Sequence, residues 1–127
     1  MGKNKIIWIF VLVLVILGIV WLVKTPSRPG KLDTFASCLK DSGAIFYGAF
    51  WCPHCQNQKA MFGSSAKLLP YTECSTPDSR GRLPICTEAQ VESYPTWQFA
   101  DGTRQTGEVS LGALSEATGC PLPENNG

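Results

Sequence analysis

Histidine occurs once in the 127 residues, at His54, and no second close cysteine or histidine pair accompanies Cys52 and Cys55. A zinc site draws its ligands from closely spaced pairs, so no metal centre is expected, and nothing in the sequence calls for a cofactor. Acidic residues are missing from positions 1–30, which hold four basic side chains. Positions 31–127 hold seven basic and ten acidic residues, a net charge of about −3. That part has no basic run or patch, which excludes the electrostatic footprint of a nucleic-acid partner. No segment repeats.

Charge of either sign is also missing from Ile6 to Val23. As a helix this stretch would span roughly 27 Å, enough for the core of a bilayer. Trp8 and Trp21 lie near its two ends, where interfacial anchors sit. A secretory signal has a shorter apolar core and a small-residue cleavage site. Val20-Trp21-Leu22-Val23-Lys24 has no such pattern, so an uncleaved signal-anchor is expected, attaching the chain to the membrane by its own helix. Charge leaves the orientation open, with Lys3 and Lys5 before the span and Lys24, Arg28 and Lys31 after it. Cysteine content decides it. Six cysteines in so short a chain point to an oxidising compartment. The expected layout is a cytoplasmic N-terminus (1–5), a cell-membrane anchor (6–23) and a Pro-stiffened linker (24–30). A domain on the periplasmic or extracellular side (31–120) and a frayed tail (121–127) follow.

Within the domain, Leu32, Phe35 and Leu39 share a helical face between Lys31 and Asp41. Ala44 to Phe50 reads as a buried strand. A helix begins at Pro53, a residue suited to a first helical position, and its apolar pattern (Ala60, Met61, Ala66, Leu68) runs to Leu69. Tyr71 to Cys74 is a short strand, and Ser75 to Pro84 a turn-rich loop. Ile85 to Ser93 reads as a short helix with Ile85, Ala89 and Val91 inward. Thr96 to Ala100 and Thr103 to Val109 form a hairpin about Asp101-Gly102. Ser110 caps a last helix through Leu111, Leu114 and Ala117, which stops at Gly119.

Two cysteines three positions apart therefore sit where a strand hands over to a helix. A thiolate there is stabilised by unpaired backbone N–H groups and the positive end of the helix dipole. Only the thiolate attacks a disulfide, and such placement acidifies a cysteine. Cys52 is expected to be the exposed, attacking thiol, and Cys55, one turn deeper, to resolve the mixed disulfide. Pro53 and His54 separate them, and His54 adds a polar neighbour able to carry positive charge. A structural disulfide or half a zinc site are the competing readings, and the absence of any partner pair weighs against zinc.

Phe50-Trp51-Cys52-Pro53-His54-Cys55, followed by Tyr94-Pro95-Thr96, resembles the thioredoxin superfamily over about residues 31–120. Phe46-Tyr47-Gly48-Ala49-Phe50-Trp51-Cys52-Pro53-His54-Cys55-Gln56-Asn57-Gln58-Lys59 with Leu69-Pro70-Tyr71 is most similar to one branch. That branch is the thioredoxin-like domain associated with bacterial vitamin K epoxide reductase homologues. The resemblance implies an α/β fold, a central mixed sheet flanked by helices, here without the family's usual first strand and with an N-terminal transmembrane helix added. It implies that Pro95 is cis and faces the cysteine pair. The Tyr94 backbone is then free to bond an extended substrate, with Trp51 beside it. It also implies protein thiols or disulfides as substrates and an integral vitamin-K-epoxide-reductase-like partner. Pro53-His54 matches strongly oxidising members. One departure stands out: the buried carboxylate many members carry six residues before the first cysteine is Phe46 here, and neither Asp41 nor Glu73 is a secure substitute.

With Cys52 and Cys55 reserved, Cys74 and Cys86 flank the 75–84 loop. Closing it would stabilise the fold by about 3 kcal/mol in the chain-entropy model, and the resemblance implies a similar extra pair. Cys38 and Cys120 are left over, either paired, tying the first domain helix to the last, or as free thiols. The function expected is membrane-anchored thiol–disulfide exchange, as an oxidant. A reductase for cytochrome maturation or disulfide repair, and a non-catalytic peptide-binding module, are the alternatives.

Overall fold

A computed structural model describes residues 2–25 and 29–124. Pro26, Ser27 and Arg28 of the expected linker, and the last three residues of the expected tail, lie outside the described residues. Helix α1 (Lys3–Lys24) has no buried residue, and it is long and apolar enough to cross a membrane. Thr25 closes it, donating from Oγ1 to the carbonyls of Trp21 and Leu22 at 2.8 and 3.0 Å.

Helix α2 (Asp33–Asp41) buries Phe35, Ala36 and Leu39 along one face, the spacing of a surface helix on a core. Strand β1 (Ile45–Gly48) is the centre of a four-stranded mixed sheet. It pairs in parallel with β2 (Tyr71–Glu73) and antiparallel with β3 (Thr96–Gln98). β3 pairs antiparallel with β4 (Arg104–Thr106), so the order is β2-β1-β3-β4.

Alternation along β1 sends successive side chains to opposite faces and divides the core in two. Ala44 and Phe46 join Phe35, Leu39, Phe62, Trp97 and Leu114 in the larger cluster. Tyr47 joins Cys74, Cys86 and Val91 in the smaller one. Phe46 stacks on Trp97 at 4.9 Å and meets the Tyr71 ring edge-on at 5.1 Å. Each such ring removed from water contributes about 1.5–3 kcal/mol.

Helix α3 (Pro53–Ala60) is shorter than the sequence pattern predicts. The chain turns at Met61-Phe62 and resumes as a 3₁₀ segment, Gly63–Leu68, instead of continuing as α-helix to Leu69. Gly63 sits at φ +53°, a left-handed conformation that ends helices and that glycine adopts freely. Phe62, placed at the break, is buried and stacks on Phe35 with ring centroids 5.9 Å apart.

Helix α4 (Pro84–Glu88) is likewise shorter than expected. Ile85, expected inward, is 56% exposed, while Cys86 and Val91 are fully buried. The bond joining Cys86 to Cys74 fixes which side of this short helix turns inward. Helix α5 (Leu111–Thr118) is capped by Ser110, whose Oγ accepts from Ala113 N, and it ends at Gly119 with φ 73°.

Candidate active site

The turn from β1 into α3 places both cysteines. Cys52 is the N-cap of α3, with extended backbone (φ −77°, ψ 118°), and Pro53 follows inside the first turn. Cys52 N donates to Ala49 O at 3.1 Å, which tightens the turn. The Cys52 side chain caps no backbone N–H and is left to the site. It is not the exposed thiol expected: only 6% of the residue is accessible. Its Sγ packs instead against the carbonyl of Tyr94, at 3.7 Å. Tyr94-Pro95 is a cis peptide, and Pro95 is fully buried.

Cys55 lies one turn on, 1% exposed. Burial pushes its thiol up to about 12, with the neighbouring Cys52 adding to the effect; a backbone hydrogen bond from Ala49 and the charge of Lys59 oppose it. Cys52 stands at the end of α3 and Cys55 one turn inside it. Both are free, whereas Cys38 is joined to Cys120 and Cys74 to Cys86, with Cα atoms 5.8 and 5.5 Å apart.

The floor beneath Cys55 depends on Gly48. A Cβ there would stand 2.8 Å from Tyr71 Cε2 and 3.0 Å from Cys55 Sγ, so ring and sulfur flank the same empty position. Tyr71 donates its hydroxyl proton to Glu73 Oε2 at 2.7 Å, and Lys59 Nζ lies 3.4 Å from the centroid of the Tyr71 ring. Burial and the Glu73 carboxylate both hold the Tyr71 hydroxyl in its protonated form. Glu73 is already engaged, its Oε1 accepting from Phe50 N at 3.2 Å and Ser75 N at 2.9 Å. Phe46, six residues before Cys52, is fully buried and apolar.

His54, largely exposed, is paired with Glu108. Its Nδ1 stands 2.9 Å from Glu108 Oε1, and that oxygen also accepts from Asn57 Nδ2 at 2.9 Å. His54 first, then Asn57, holds the Glu108 carboxyl below the usual range. Gln58, fully buried, donates to Val109 O at 2.9 Å and accepts from Val109 N at 2.7 Å. The sequence reading singled out neither Gln58 nor Glu108. Positions 54, 57 and 58 share a helical face, which is a signal for α3, but nothing local announces the segment that meets it.

Around Cys52 the surface is aromatic. Phe50 and Trp51 are each 47% exposed, and Trp51 meets Tyr94 edge-on at 6.2 Å. Of the expected substrate-binding residues, Tyr94 touches the Cys52 thiol through its carbonyl, Trp51 packs on Tyr94, and Pro95 follows Tyr94 through the cis bond. Among the described residues, no three His, Cys, Asp or Glu side chains converge as a metal site.

No protein-family model matches the chain. It is similar to the thiol-disulfide oxidoreductase LTO1 of Arabidopsis thaliana, 44% identical over 109 residues, which cover 82% of this chain and 28% of that protein. It is also similar to protein disulfide isomerase-like 5-1 of Oryza sativa subsp. japonica. There the identity is 28% over 102 residues, covering 70% of this chain and 69% of the relative. The domain is thioredoxin-like. The chain spans only about a quarter of the length of the Arabidopsis relative.

Proposed function

We propose that the chain is a membrane-anchored thiol–disulfide oxidoreductase in which Cys52 exchanges with substrate and Cys55 resolves. The observation that carries this is the inequality of the two thiols: Cys52 at the N-terminus of α3, Cys55 buried behind it and pushed up to about 12. The names of the two relatives support the same class of reaction.

In the oxidising direction a substrate thiolate attacks Sγ of Cys52 in the Cys52–Cys55 disulfide. The bond between the two cysteines breaks, a mixed disulfide forms, and Cys55 leaves as a thiolate that takes up a proton. A second substrate thiolate then attacks the substrate sulfur of the mixed disulfide. The substrate leaves oxidised, and Cys52 keeps the electron pair as thiolate. Pro53 and His54 are the dipeptide that favours this direction, on the resemblance to oxidising thioredoxin-like proteins. Trp51, Tyr94 and Pro95 receive the substrate backbone and side chains.

The pair must then be reoxidised. The Cys52 thiolate attacks the oxidant's disulfide and releases one of its thiolates. The Cys55 thiolate then attacks Sγ of Cys52, releasing the second and closing the Cys52–Cys55 bond. We assign that step to an integral vitamin-K-epoxide-reductase-like partner that passes the two electrons to quinone. Helix α1 supports the assignment, since it would restrict the domain to the membrane surface and raise its effective concentration toward an embedded partner. The domain would then stand on the periplasmic or extracellular side, where the Cys38–Cys120 and Cys74–Cys86 bonds are stable.

The test is to express the Cys55→Ala variant in its native membrane and identify the proteins disulfide-linked to Cys52. Capture of a polytopic membrane protein by the variant, and reduction of Cys52–Cys55 in the unmodified protein when the quinone pool is blocked, are the expected results. Capture of soluble proteins alone, with an unchanged redox state, would remove the partner from the account.

A further inference from the structure

We infer that Ser75 and Arg82 are positioning residues that hold the aromatic wall around Cys52 and so decide which disulfide-bearing segments reach it. This rests on Cys52 being the exchanging thiol. Ser75 and Arg82 face each other as an isolated antiparallel bridge at the neck of the loop that follows Cys74. The loop above them is tied to itself: Thr76 N donates to Gly81 O at 3.0 Å, and Gly81 N to Thr76 Oγ1 at 2.9 Å. Below them, Leu83 N donates to Cys74 O at 2.7 Å and Cys74 N to Gly48 O at 2.8 Å. The neck is therefore anchored to the end of β1, the strand that leads to Cys52.

Each residue of the bridge reaches one aromatic. Ser75 Oγ accepts from Trp51 Nε1 at 2.8 Å. Arg82 Nε donates to the Tyr94 hydroxyl at 3.0 Å, and its guanidinium carbon lies 5.7 Å from the centre of that ring. Trp51 and Tyr94 are the residues on either side of the Cys52 thiol, one its chain neighbour and the other the owner of the carbonyl against its Sγ. Trp51, 47% exposed, is held by the bond to Ser75 and by its edge-on contact with Tyr94. Ser75 and Arg82 thus act on Cys52 through Trp51 and Tyr94, fixing the width of the entrance a bulky substrate must pass. A small disulfide needs no such fit.

The test uses the full chain, reduced at Cys52 and Cys55, in detergent micelles, with Ser75→Ala, Arg82→Gln and the conservative Ser75→Thr. Two probes are compared in single-turnover exchange: 5,5′-dithiobis(2-nitrobenzoic acid), which is small, and a cystine-bridged synthetic peptide. Loss of one hydrogen bond is expected to raise the half-saturating peptide concentration about fivefold. The limiting rate and the reaction with the small disulfide should not change. Ser75→Thr, which keeps the hydroxyl, should restore peptide exchange. Unchanged peptide exchange in Ser75→Ala and Arg82→Gln, or an equal slowing with both probes, would overturn the inference. If the unmodified protein failed to react with the small disulfide, the reading of Cys52 itself would fall, and this inference with it.

Discussion

Gln58 and Val109 exchange two hydrogen bonds, the amide of Gln58 donating to the Val109 carbonyl and accepting from its N–H. The pair fastens α3, which carries both free cysteines, to the segment that leads into α5. Gln58→Ala would leave two buried backbone groups without partners, at about 1–3 kcal/mol each. The variant should lose about 3 kcal/mol in urea unfolding at constant m-value.

The same fastening brings Glu108 to His54 and Asn57. Because these contacts favour the charged carboxylate, their stabilisation is present above the ordinary glutamate range, about pH 4.3. It is lost as pH falls through the lower folded value. The Glu108→Gln variant should be less stable than the parent near neutral pH and converge with it as pH falls through the lowered Glu108 value. A gap that persists undiminished at the acid end would show that the contact does not depend on the charge.

Gly48 is the close approach on which the floor of the site depends. In Gly48→Ala the new methyl would meet the Tyr71 ring at 2.8 Å and Cys55 Sγ at 3.0 Å, so one of them must move. The expected cost is about 1–3 kcal/mol, together with faster alkylation of Cys55, measured with iodoacetamide in a Cys52→Ser background.

The bond between Cys38 and Cys120 spans 82 positions, against 12 for Cys74 and Cys86. In the chain-entropy model the longer loop contributes about 4.5 kcal/mol and the shorter about 3 kcal/mol. Thermal melts of the paired Cys38→Ala/Cys120→Ala and Cys74→Ala/Cys86→Ala variants should show the larger loss in the first.

Local chemistry made much of this fold legible. The apolar, aromatic run from Ala44 to Phe50 marks β1, Pro53 marks the start of α3, and Ser110 and Gly119 bracket α5. What was not legible is long-range. The apolar pattern of Ala60, Met61, Ala66 and Leu68 continues past the break at Gly63, whereas Phe62 at the break stacks on Phe35 of α2, a contact far away in sequence. Ile85 faces solvent because Cys86 is tied inward. In the site, Cys52 and Cys55 come together by their own spacing. The closure of Tyr94 over Cys52, and the meeting of Glu108 with His54, arise only when distant segments pack. Gly48, at the end of β1, is a local sign of a close approach.

The claim that Cys52 attacks and Cys55 resolves is tested most directly by reacting Cys55→Ala and Cys52→Ser with 5,5′-dithiobis(2-nitrobenzoic acid) across a pH series. Burial raises the Cys55 thiol well above its ordinary value, so little of it is thiolate at pH 7. Cys55→Ala should release one equivalent of thionitrobenzoate rapidly at pH 7 and keep the mixed disulfide. Cys52→Ser should stay nearly silent there and gain reactivity only as pH rises well above the ordinary thiol range. Equal rates for the two variants at pH 7 would contradict the assignment.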